Sequence, residues 1–567
     1  MKLKYTLIII LFLISLLNCG SNRMAELVIV NGKVVTVDEK QPEAQAIAMS
    51  GEYILAVASN EEIQKYIGPA TKTIDAEGRL VIPGFIDSHA HFLGLGQAKM
   101  QLDLTQATDW DAIVQMVAEA AKQARPGEWI RGRGWHQEKW QRVPQPNIDG
   151  LPVHTALSAV SPDNPVLLIH ASGHSALANA KAMEVSGISR NTPNPEGGEI
   201  VRDQNGEPIG GFRETAIGLV KGKMYADFEN RTEEQKKNDQ LKAIQLATDE
   251  CLSKGITTFT DASSSFEEID LFHNLAEEGR LNIRLWVMLN ESNARLAENI
   301  KNYKILNAGE HRLTVRAIKR FIDGALGAHG AWLLEPYEDL PTSTGLNTTP
   351  LDELALTAKI ALENDFQMCT HAIGDRGNRE ILNIYENAFK QAPEKKNRRW
   401  RIEHAQHISP DDIPRFARSG IIASMQSVHA TSDGPWVPKR IGEKRALEGA
   451  YAWESLRKSG VVIANGTDAP VEDVSPIACY YSAISRKLKN GEIFNPEQRM
   501  SRFDALKSYT INGAYAAFDE DIKGSITPGK LADIVILSKD ILTIPEAEIP
   551  QSEVLYTILG GKIVYQK

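Results

Sequence analysis

RLVIPGFIDSHAH, residues Arg79–His91, is a short apolar run interrupted by Pro83 and Gly84 that resumes and closes on two histidines one residue apart. Residues i and i+2 of a strand project to the same face, so His89 and His91 converge on one point. Two neutral imidazoles meeting there suit a borderline metal such as zinc. An H-x-H pair by itself is ordinary loop sequence. Its weight depends on how the other apolar runs of the chain end.

Seven further β-branched runs follow, with helical stretches between them: GITTFTDA (255–262), NIRLWVML (282–289), TVRAIKRFID (314–323), FQMCTH (366–371), RWRIEH (399–404), GIIASMQ (420–426) and VVIANGTD (461–468). Together with the first run they predict eight parallel strands, an α/β architecture of the (β/α)8 TIM-like barrel type, with its site at the C-terminal strand ends. The polar residues gather at those ends. His371 closes the fifth run, His404 the sixth and Asp468 the eighth, so three more candidate metal ligands surround the point where His89 and His91 meet. On the fourth run Val315, Ala317, Lys319 and Phe321 share a face. Lys319 is thereby placed among the ligands, although an ammonium has no lone pair to offer a metal. The barrel is expected over 81–513. The stretch from 92 to about 250 is far longer than one crossover needs, which predicts an inserted subdomain.

Both ends of the chain have a different rhythm. AELVIV, Asn31-Gly32 and KVVTV predict a hairpin within 24–80, since Asn-Gly between apolar-rich runs favours the tight hairpin turn. Residues 514–567 repeat the style, with GSITPGKLADIVILS and VLYTILGGKIVYQK, where Gly560-Gly561 takes the turn. Neither set has enough strands to be stable alone, so the two ends are expected to complete one small β-sandwich.

The 567 residues are ample for a large core, and the net charge of -10 argues against the broad basic face that nucleic-acid binding draws on. Residues 1–23 are of another kind. Lys2 and Lys4 precede the apolar run Tyr5–Leu17, shorter than the ~20 residues a membrane span needs, and small polar residues follow. That pattern predicts an export signal. Leu16-Leu17-Asn18-Cys19 resembles a bacterial lipobox, in which Cys19 would be lipidated and become the mature N-terminus. The expectation is an exported lipoprotein of a bacterial cell envelope, held to the membrane by its lipid anchor. Cys251, Cys369 and Cys479 would then remain, and their odd number and irregular spacing imply no disulfide framework.

The stretches PGFIDSHAH, IKRFIDGALG, THAIGDRGN, RIEHAQHI and NGTDAPVE resemble the metal-dependent amidohydrolase superfamily, in particular its long branch that includes N-substituted formamide deformylase. The resemblance implies that His89, His91, Lys319, His371, His404 and Asp468 hold one or two divalent ions, zinc foremost, with the lysine often carboxylated by CO2. It further implies a small-molecule amide as substrate, with Asp468 as general base and acid. Deamination or lactone hydrolysis on the same metal site is the alternative, and a lipid-anchored metal-binding protein without turnover a remoter one. His174 and Asn179 match a stretch that faces substrate in that branch, and His170 with His174 is expected on one helix face. His429, just past the seventh run, is a candidate for orienting the substrate or its oxyanion. Trp135 and Trp140 are read as lid or subdomain core, Cys369 as inert packing, and Asp323, Glu403 and Arg376 as rim ion pairs.

Overall fold

The computed structural model describes residues 24–567 except 106, 138, 139, 171–174, 196, 197 and 328. The expected export signal, Cys19 and His174 lie outside the described residues.

Eight parallel strands lie side by side in chain order: β1 (Phe85–Ala90), β2 (Ile256–Ser264), β3 (Arg284–Leu289), β4 (Leu313–Phe321), β5 (Gln367–Ala372), β6 (Arg401–His404), β7 (Ile422–Met425) and β8 (Ile463–Asn465). Nearly every strand residue is buried, as in parallel sheets covered on both faces. Inside, Ala262, Trp286, Met288, Ala317, Cys369 and Ala517 pack together, small residues making room for one indole. Cys369 is packing, as expected, and burial pushes its thiol up, away from reactivity.

The barrel is nearly closed, and its seam between β1 and β8 is made by a few specific bonds. The Asp468 N–H donates to the His89 carbonyl at 2.8 Å, and the His91 N–H to the Ala469 carbonyl at 2.8 Å. Asp87 accepts from the Thr467 N–H at 3.1 Å and hydroxyl at 2.6 Å. Gly466 is required at this seam, since a Cβ there would lie 2.5 Å from the His89 nitrogen. The seam therefore fixes His89, His91 and Asp468 relative to one another.

Two expectations about the chain ends are corrected. Leu80–Pro83, taken above as the start of the first barrel strand, pairs instead with Lys33–Val35 and Ile534–Leu537. Gly84 divides it from β1, because a Cβ at that position would meet Thr257 Oγ1 at 2.2 Å. Asn31-Gly32 is not a hairpin turn. Leu27–Val30 pairs with Ala46–Ser50 and Lys72–Asp75 in a four-stranded sheet, while Lys33–Val35 belongs to a six-stranded sheet that also contains the C-terminal strands. Asn31, at φ 54°, passes the chain from one sheet to the other. Leu27, Ile29, Ile47, Val81, Ile534 and Ile558 share the core these sheets enclose. Gly560-Gly561 does close a hairpin, between Val554–Leu559 and Lys562–Gln566.

Residues Leu93–Ala247 form a compact unit of their own, built on a six-stranded mixed sheet. Its core holds Trp110, Trp135, Trp140, Leu157 and Leu168, which settles the two tryptophans as packing. His170 ends the strand Val166–His170, while His174, expected on one helix face with it, lies outside the described residues. Among the described residues no helix is long and apolar enough to cross a membrane.

Candidate metal centre

β1 delivers His89 and His91 into the barrel mouth, and the turn after β8 brings Asp468 between them. The Asp468 Oδ1 lies 3.2 Å from His91 Nε2 and 3.7 Å from His89 Nε2. From the helix Ser427–Asp433, just after β7, His429 Nε2 comes within 3.8 Å of Asp468 Oδ2. Two donor groups share this carboxylate: His89, His91 and Asp468 form one, His404, His429 and Asp468 the other, with ligand atoms in each within 4.8 Å of one another. His404 and Asp468 both adopt left-handed backbone, at φ 70° and 58°. Such strain persists where surrounding bonds over-determine it, here at the two strand ends that turn side chains into the mouth.

Further contacts orient the imidazoles. His89 Nδ1 is hydrogen-bonded to Glu403, which Arg401 grips through two bonds of 2.7 and 2.9 Å. Arg401 also donates to the Ser88 carbonyl at 2.6 Å and the Ser424 hydroxyl at 2.7 Å. Burial alone would push the Glu403 carboxyl up, but Arg401 and His89 together hold it well below the usual range. The anion then accepts the Nδ1 proton of His89 and leaves the Nε2 lone pair facing the mouth. His404 is set the same way, its Nδ1 lying 2.7 Å from Gln426 Oε1 while the Gln426 amide nitrogen donates to the Ser424 carbonyl at 3.3 Å. Burial lowers His89 to about 4 and pushes His371 and His404 well down, so all three are neutral at pH 7. Burial opposes ionisation of Asp468, yet the His91 hydrogen bond helps hold it low.

Lys319 and His371 border this cluster. Lys319 Nζ lies 3.4 Å from His89 Nε2 and 4.9 Å from the Phe321 ring centre, with no carboxylate oxygen within ion-pair distance among the described residues. The His371 ring centre is 4.5 Å from that of His404, and its buried Nε2 has no hydrogen-bond partner among the described residues, with Asp323 Oδ1 3.6 Å away. Neutral imidazole nitrogens, one ionised carboxylate and an unpartnered buried ring nitrogen are together a fitting donor set for a divalent metal ion.

Other expectations change. Asn179 is fully buried; its Oδ1 accepts from the Val166 and Ala182 N–H groups, both at 2.9 Å, and its amide donates to Ser161 and Asn164. Its polar atoms are spent capping a helix, so the substrate contact expected for it is withdrawn. Asp323 accepts three backbone N–H bonds, from Trp332, Ile373 and Gly374, and is a staple rather than a rim ion pair. Glu403 is not on the rim but inside the barrel. Sequence reasoning missed Arg401, Gln406 and Gln426. Strand alternation in RWRIEH does place Arg401 and Glu403 on one face, and that was the available signal.

Comparisons with known proteins place the chain among related sequences and folds. The profile of the amidohydrolase family matches residues 72–565. The protein LONG AFTER FAR-RED 3 of Arabidopsis thaliana is 33% identical, over 96% of this chain and 92% of its own. N-substituted formamide deformylase of Arthrobacter pascens is 26% identical, over 96% and 99%. An uncharacterised metal-dependent hydrolase from Pyrococcus horikoshii superposes with a TM-score of 0.71 at 25% identity, covering 92% of this chain and 99% of that one.

Proposed function

The chain belongs to the amidohydrolase family and is a metal-dependent hydrolase of small molecules, and from that premise we propose that it cleaves a non-peptide amide C–N bond, with zinc as the resident ion. The observation that carries this reading is Asp468, an ionised carboxylate at the mouth within 3.2 Å of His91 and flanked by His89 and His429. His89, His91, His404 and Asp468 would hold the ion, joined by His371 and by Lys319 as a carbamate, a form that relieves a buried ammonium of its missing partner. When bound, a divalent ion makes water nucleophilic near neutral pH and polarises a carbonyl.

Asp468 takes one proton from the attacking water as oxygen bonds to the carbonyl carbon. It returns that proton to the departing nitrogen as the C–N bond breaks, so the products are a carboxylic acid and a free amine. His89 and His404 act through their Nε2 lone pairs, and Glu403 and Gln426 keep those lone pairs in place. The likeness to N-substituted formamide deformylase makes N-substituted formamides the first class to test. The experiment compares metal-loaded and chelator-stripped protein on N-alkylformamides, N-acyl amino acids, cyclic ureides and lactones. Metal-dependent release of an amine supports the reading. Turnover confined to lactones or to ring deamination replaces it with the alternative.

A further inference from the structure

His429 stands close enough to His404 and Asp468 to be counted among the metal ligands. Its hydrogen bonding gives it another role. His429 Nδ1 lies 3.0 Å from Gln406 Nε2, and an amide nitrogen can only donate. Nδ1 is therefore the acceptor, and a neutral ring must carry its proton on Nε2. His89 and His404 are the opposite case. Their Nδ1 atoms face oxygens, of Glu403 and of Gln426, so their Nε2 atoms carry the lone pairs.

We propose that His429 is a catalytic hydrogen-bond donor and not a ligand, its Nε2–H aimed by Gln406 at the oxygen of the substrate carbonyl under attack. This rests on the amide-hydrolysis reading above. Among the described residues His429 Nε2 is buried without a hydrogen-bond partner, 3.8 Å from Asp468 Oδ2, so an N–H there lacks an acceptor that a substrate oxygen would supply. Both members of the pair are fixed. The Gln406 backbone carbonyl accepts the Tyr451 backbone N–H at 2.6 Å, and the His429 backbone N–H donates to the Gln426 backbone carbonyl at 3.2 Å, so both residues are held through their main chains. The His429 ring lies nearly parallel to that of His404, at 6.3 Å and 21°. Gln406 is the positioning residue, since it acts on the reaction only through the tautomer it imposes.

The test has arms that do not depend on the substrate. In 15N-histidine-labelled holoprotein, the ring signals that disappear in His429→Ala are expected to show a protonated Nε2 and a bare Nδ1. Gln406→Glu, which turns the donor into an acceptor, is expected to move that proton to Nδ1. His429→Ala is expected to keep the wild-type metal content while His404→Ala loses metal. On an N-alkylformamide, His429→Ala is expected to lose about a hundredfold or more in kcat with little change in KM, as for removal of an oxyanion donor. A bare Nε2 in the wild type, or loss of metal in His429→Ala, overturns the proposal. Wild type inactive on every amide overturns the amide reading instead, and the tautomer and metal arms still decide this one.

Discussion

At the scale of single residues, the candidate ligands were legible because a barrel puts its chemistry at strand ends. His89, His91, His371, His404 and Asp468 each close an apolar run in the sequence. The residues that orient them were less legible, because Gln406 and Gln426 act on partners that only the fold brings near, and only the alternation in RWRIEH pointed to Arg401 beside Glu403. Asn179 was misread for a related reason. A single Asn before AKAMEV is an ordinary helix N-cap, and the structure gives it that work. The buried trio His89, Glu403 and Arg401 carries a prediction. Glu403→Gln takes away the anion that sets the His89 tautomer, so metal affinity should fall about ten- to a hundredfold. A competitive-chelator titration reads this. Unchanged affinity would mean that His89 is oriented by something else.

At the scale of elements, the eight barrel strands were predicted from composition and rhythm, and their order follows from the parallel rule. Strand starts were less legible. RLVIP and FIDSHAH look like one run because nothing in the sequence says that Gly84 marks a change of sheet. Asn31-Gly32 has a hairpin's composition, yet its neighbours are claimed by strands far along the chain, and pairing with those wins over the local turn. The seam between β1 and β8 is the element on which the site depends. Gly466→Ala would force a methyl to 2.5 Å from the His89 nitrogen and 2.8 Å from Asp87 Oδ1. Overpacking of that kind costs about 1–3 kcal/mol, and here the strands must part at the ligands themselves. The variant should lose metal on dialysis and unfold at a lower temperature than wild type. Full retention of metal would show that the seam does not position the ligands.

At the scale of the molecule, one buried ion pair joins the barrel to the terminal sheets. Arg284 on β3 holds Asp533 at 2.8 and 2.9 Å, and Asp533 also accepts the Gly560 N–H at 2.9 Å. Burial pushes the Asp533 carboxyl up, but Arg284 outweighs it and the folded value is lowered. A carboxylate lowered on folding stabilises fully above its unfolded value near 4, and that contribution is lost as pH falls through the folded value. Asp533→Ala should therefore destabilise by about 3–5 kcal/mol at neutral pH, with a difference from wild type that shrinks in acid. Thermal melts at pH 7 and pH 3 measure both. The N-terminal segment carries a prediction of a different kind. Cys19→Ala should move the protein from the membrane fraction to the soluble fraction, and retention in the membrane would refute the lipid anchor.

The role proposed for Asp468 is to move the proton in metal-dependent amide hydrolysis. Its most direct test is the rate of amine release from an N-alkylformamide by metal-loaded wild type and Asp468→Asn, with metal content measured on the same samples. The variant is expected to show a kcat lower by about a hundredfold or more, with the fold intact and at least one divalent ion still bound. A metal-loaded Asp468→Asn that turns over at close to the wild-type rate would contradict it.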